Sequence, residues 1–180
     1  MNSFILERSN QMPIHTDMRR VFNALDGCQL EYNWLITNLE HYTNAIRSAA
    51  NTSLPDNLTI YEESTSPSDK LDKDPIWISG EELTRIIYGN SIQFVWGVFS
   101  GFRKNIDINI EELIIEPYAD GNPNFWVSEP KIQHPLADIE VVCWDSTLTL
   151  FLTEDDGLGN KFKEYFKDLI DLKTYNKRFM

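Results

Sequence analysis

A chain of 180 residues with 28 acidic and 16 basic side chains carries a formal charge of −12, which repels nucleic-acid phosphates and anionic membrane and favours a basic protein as partner. Its 42% hydrophobic content, with 10 Phe, 7 Tyr and 5 Trp, excludes a disordered chain and suits a single globular domain over residues 1–180. The charge is uneven: residues 1–160 hold 10 bases against 25 acids, whereas residues 161–180 hold 6 against 3.

Along the chain, residues 3–8 suit a first strand. Thr16 with Asp17 predicts a capped helix whose apolar positions Met18, Val21, Phe22 and Leu25 repeat at helical spacing until Asp26-Gly27 stops it. From Leu30 to Tyr42, Tyr32, Trp34 and Ile36 alternate as in a strand while Leu35 and Leu39 also fit a helix, and the alternation favours a strand running to about Thr37. Residues 51–75 change character, with prolines at 55, 67 and 75 and six acids against two bases, and read as a long flexible acidic loop that is either a mobile insertion or a partner-contacting segment. Ile76-Trp77-Ile78 restores order, and Ser79 with Glu82 forms a capping box ahead of Leu83, Ile86 and Ile87.

Ile92–Phe102 is apolar on both faces, which predicts a covered central strand with Ile92, Phe94, Trp96, Val98 and Phe102 on one side. Gly97 and Gly101 on its other side leave room for a close neighbour or mark bends. Asn109 with Glu112 predicts a third short helix ended by Pro117, Asp120-Gly121-Asn122-Pro123 a turn, and Phe125-Trp126-Val127 a short strand. Ile139–Trp144 and Thr147–Thr153 predict a hairpin across Asp145-Ser146. After Glu154-Asp155-Asp156-Gly157, a stripe of Phe162, Tyr165, Phe166, Leu169, Ile170 and Leu172 predicts a C-terminal amphipathic helix.

No motif for chemistry stands out. His15, His41 and His134 lack neighbours at metal-ligand spacing, and Glu154–Gly157 lacks the alternating ligands of a calcium loop and reads as a helix cap. No phosphate-binding glycine loop or nucleophile elbow occurs, so no cofactor and no catalytic residue is expected. Cys28 and Cys143 stand 115 positions apart in apolar contexts and read as buried free thiols. The first residues lack a basic region ahead of an apolar stretch and no run reaches the ~18 apolar residues of a membrane span, so a cytoplasmic protein with reduced thiols is expected.

The element order predicts an α+β fold, a mixed and largely antiparallel sheet with helices packed on it. In size, acidity, α+β layout and lack of a catalytic motif, the chain resembles the small acidic immunity proteins that bacteria keep in the cytoplasm against nuclease toxins. The resemblance implies a non-catalytic protein that occludes the cationic active site of a toxin, its carboxylates standing in for phosphates. An exposed tryptophan ringed by carboxylates suits such a role, which selects Glu62, Glu63, Asp69, Asp72, Asp74 and Trp77, then Asp120, Trp126, Glu154, Asp155 and Asp156 as partner-binding residues. Two alternatives stand beside it: a small enzyme with a cleft of carboxylates and histidines, and a homo-oligomeric structural protein.

Overall fold

The computed structural model describes residues 1–9, 12, 16–44, 71 and 73–179. A seven-stranded sheet organises them: β1 Asn2–Leu6, β2 Tyr32–Asn44, β3 Ile76–Ser79, β4 Ser91–Arg103, β5 Ile139–Trp144, β6 Leu148–Thr153 and β7 Ile170–Asp171. Its order is β3-β2-β4-β5-β6-β1-β7 and every pairing is antiparallel, which makes the fold α+β. The predicted loop at 51–75 lies outside the described residues except for Leu71 and residues 73–75.

Strand alternation sorts the side chains onto two faces. Phe4, Trp34, Ile36, Phe99, Val141 and Phe151 point to one face, where helices α1 Met18–Leu25, α2 Gly80–Gly89 and α3 Asp156–Tyr165 bury Phe22, Ile86 and Phe162 against them. Ile5, Val98, Val142, Leu150 and Leu152 point to the other face. That second face is covered mainly by residues 104–138, which contain only two single turns of 3-10 helix, Ile110–Glu112 and Pro123–Phe125, and by the short helix α4 Leu172–Asn176.

Local chemistry explains most elements. Ser79 Oγ accepts from Glu82 N at 3.2 Å, as a capping box requires. Asp145 and Ser146 both sit at φ 49, the left-handed pair of a tight two-residue hairpin turn. The helix at residue 18 is capped by Asp17, whose carboxylate accepts from Arg19 N at 3.1 Å; Thr16 is buried instead, its hydroxyl accepting from Thr149 Oγ1 at 3.0 Å.

Several sequence expectations are corrected. Along β4 the alternation is interrupted: paired bulges put one extra residue into β2 after Thr37 and one into β4 at Val95, with Gly97 at φ 154 beside them. Phe94 therefore shares the helical face with Phe99, while Trp96, Val98 and Phe102 face the other way. Gly101 makes room not for a helix but for the Trp34 ring, which an added Cβ would meet at 3.4 Å. The helix predicted after Asn109 is one 3-10 turn, and Phe125-Trp126-Val127 leaves such a turn without joining the sheet. The C-terminal stripe is divided, since α3 ends at Tyr165 and the chain extends through Phe166. Ile170 and Asp171 then pair with Ile5 and Phe4 at the edge of β1, and Asp171 caps α4.

Candidate functional site

Of the acids selected from the sequence, Glu62, Glu63, Asp69 and Asp72 lie outside the described residues. Four others are engaged inside the fold. Asp74 accepts from the backbone N–H groups of Asn38 and Leu39, both at 3.2 Å. Glu154 pairs with the amino terminus at 3.3 Å, and Asp156 accepts from Asn2 Nδ2 at 2.9 Å. Asp155 caps α3 through Gly157 N and Leu158 N, and Arg103 joins it at 3.6 Å while also binding Asp138 at 2.6 Å and Glu31 at 3.7 Å. Trp77 is half-buried and packs edge-on against Phe102 with centroids 5.4 Å apart, a place at the margin of the core.

Trp126 and Asp120 fall together on the long covering segment. Trp126 packs edge-on against Trp144 at 4.9 Å and lines a shallow groove of about 260 Å³ with Tyr175, Asn176 and Phe179. Asp120 belongs to a more concentrated feature. Between residues 105 and 130 the sequence has six acids and no base. Five of them, Asp107, Glu111, Glu112, Glu116 and Asp120, are exposed, and their carboxylates enter no ion pair or hydrogen bond with another described residue. Other acids of that kind, Glu40, Asp145, Glu164 and Asp168, are scattered over β2, the hairpin turn, α3 and the turn after it. Large apolar side chains share this surface, with Ile114 96% exposed, Tyr118 42% and Ile115 39%.

The strip Pro117–Asp120 is irregular, yet its backbone is held throughout. Thr37 Oγ1 donates to Pro117 O at 2.5 Å, and Asn38 Oδ1 accepts from Ala119 N at 2.8 Å and Asp120 N at 3.0 Å. Gln133 Oε1 accepts from Tyr118 N at 3.1 Å, while Asn122 Nδ2 and Gln133 Nε2 both donate to Tyr118 O, at 2.9 and 3.2 Å. Asn122 N closes the set on Ala119 O at 3.0 Å. Pro117 and Ala119 turn inward, so Glu116, Tyr118 and Asp120 turn outward. A segment without regular structure that still has its polar backbone satisfied can present side chains with little ordering left to do on binding.

Beneath the strip, Gln133 is anchored in turn. Glu140 on β5 is fully buried, and its carboxylate oxygens take Gln133 N at 3.0 Å and Gln133 Nε2 at 3.5 Å. Burial pushes the Glu140 carboxyl up to about 8, so it is mostly protonated at neutral pH. With no exposure it reaches no substrate, and its chemistry is that of an anchor. Cys143, buried on the helical face, has its thiol pushed up by burial. His134 lies edge-on against Phe102 at 4.8 Å, and burial lowers its pKa. No group of three or more His, Cys, Asp or Glu among the described residues is placed to hold a metal ion, and no described helix is long and apolar enough to cross a membrane.

Beside Tyr118 the covering segment leaves a cleft of about 420 Å³, lined by the apolar or aromatic side chains of Ile115, Tyr118, Val127 and Ile132 and by Glu116, Glu129, Lys131 and Gln133. Sequence reading selected Asp120 from this surface but missed Glu111, Glu112, Glu116 and Tyr118. The missed signal was the run of acids without bases, threaded with isoleucines that alternate only briefly, at Ile106, Ile108 and Ile110. The anchors Thr37 and Asn38 had no sequence signal, since they act on residues 80 or more positions away. Compared with known proteins, the chain matches no family model, no curated protein and no solved structure.

Proposed function

We propose that this protein is a non-catalytic binder of a basic protein, and that the 107–120 surface is its contact face. The observation that carries this is the run of five exposed carboxylates without described partners over residues 107–120, which also exposes Ile114, Ile115 and Tyr118 and ends in the backbone-pinned strip Pro117–Asp120. Charge of one sign raises encounter rates with an oppositely charged partner, and exposed apolar and aromatic side chains supply the affinity that surface charge does not. The resemblance to immunity proteins gives this a specific form: occlusion of the cationic cleft of a nuclease toxin in the cytoplasm, a compartment that suits the two free thiols Cys28 and Cys143.

The test is association with purified basic nuclease domains from bacterial toxins, with nuclease inhibition read in parallel. Wild type is compared with a variant in which Asp107 and Asp120 become Asn and Glu111, Glu112 and Glu116 become Gln. Association of the wild type with its partner should be about 10- to 10³-fold faster at low ionic strength than that of the variant, and the gap should close as salt rises. Equal rates for the two proteins, or rates indifferent to salt, would remove the surface from consideration.

A further inference from the structure

We infer that the cleft beside Tyr118 receives an arginine side chain of the basic partner; this rests on the assignment of the 107–120 surface as the contact face. The cleft's walls are apolar or aromatic, from Ile115, Tyr118, Val127 and Ile132, and suit the methylene stem of a long cationic side chain. The charged head needs acceptors and a π face. Glu116 in the lining has no described partner, and Tyr118 offers its exposed ring. Glu129 also lines the cleft but is already held by Lys173 at 2.5 Å, and Lys131 adds a positive charge to the lining. A point charge such as a lysine ammonium meets that opposition with one contact. A guanidinium instead stacks flat on a tyrosine ring while its fork engages Glu116, which is why arginine is the better occupant.

The surrounding architecture favours a receptor over a chance hollow. Tyr118 is fixed through its own N–H and C=O by Gln133 and Asn122, and Gln133 is fixed by the buried Glu140. The Tyr118 side chain makes no hydrogen bond or ring contact with another described residue, so changing it leaves those backbone bonds in place. Acidic residues further along the strip, Glu111 and Glu112, set the long-range field and have no place in the cleft lining.

The experiment uses fluorescein-labelled hexa-arginine and hexa-lysine peptides, equal in charge, titrated with the full chain at low ionic strength and read by fluorescence anisotropy. The expected result is a preference of about tenfold for hexa-arginine. Tyr118→Ser should remove that preference, Tyr118→Phe should keep it because the ring face remains, and Glu116→Gln should weaken hexa-arginine by about fivefold or more while circular dichroism stays unchanged. Glu116→Gln keeps the proposal testable if Tyr118→Ser does not fold. If both peptides bind alike and lose affinity on Glu111→Gln with Glu112→Gln but not on Tyr118→Ser, the arginine site is overturned and the acidic contact face survives. If no substitution in 107–120 changes either peptide's affinity, or neither peptide binds, both fall together.

Discussion

Two acidic runs in this chain look equivalent on paper and do opposite things. Glu154-Asp155-Asp156 is the denser, yet each carboxylate is consumed by the fold: one holds the amino terminus, one caps α3 and meets Arg103, one takes Asn2. The acids of 107–120 are more widely spaced and have no described partners, and the backbone at the end of their run is pinned at every polar group from Pro117 O to Asp120 N. Local density of charge is therefore a poor guide to available charge. What separates the runs is whether a helix N-terminus, an amino group or a guanidinium lies within reach, and that is decided by packing between distant elements.

The largest test strikes the anchor of the second region. Glu140 keeps its proton in the folded state up to about pH 8, whereas the unfolded chain releases it near the ordinary value of 4.5. Its folded form thus binds more protons than its unfolded form between those values, so this group's contribution is intact below about 4.5, is lost progressively as pH rises, and is flat above about 8. The full loss is on the order of 5 kcal/mol by linkage. Glu140→Gln, a neutral stand-in, should flatten urea-unfolding stability between pH 6.5 and 8 relative to wild type. His134, whose pKa burial lowers, is present in both proteins, so its titration cancels in the comparison. Parallel pH profiles for the two would show that Glu140 does not keep its proton in the folded state. The first region should respond next: Asp155→Ala removes the α3 cap and a contact of Arg103, and should lower stability by about 1 to 2 kcal/mol in the same assay.

How legible each region was follows from the same distinction. The cap at Ser79, the hairpin turn at Asp145-Ser146 and the apolar stripe of α1 were legible because their causes lie within four residues of one another. The end of the C-terminal stripe was not, because what draws Ile170 and Asp171 out of a helix is the open edge of β1, more than 160 positions earlier. The bulges that reverse the faces of β4 were equally hidden, since alternation is counted along one strand while bulges arise between two. For the proposed contact face, the acids could be read from the sequence, but the side chains that pin Pro117–Asp120 could not.

Those anchors give a smaller test that separates order from charge. Asn38 sits at φ 54, so Asn38→Gly keeps the backbone comfortable while deleting the bonds to Ala119 N and Asp120 N. The expected cost is about 1 kcal/mol, with faster hydrogen exchange confined to those two amides and their neighbours. Exchange unchanged at 119 and 120 would mean that the strip holds its shape without Asn38.

The smallest expected effect on stability is the most informative about purpose. Glu111→Gln with Glu112→Gln removes two exposed carboxylates that no described residue contacts, so melting should shift by less than about 0.5 kcal/mol, toward greater stability because neighbouring repulsion is relieved. Asp155→Ala, by contrast, should be felt in the fold and spare association with a basic protein. If the paired substitution destabilised the chain as much as the loss of Asp155, the 107–120 acids would have structural partners after all, and the contrast between the two regions would disappear. If it left stability alone and slowed association at low salt, charge that the fold does not use would have been traced to the surface that does use it.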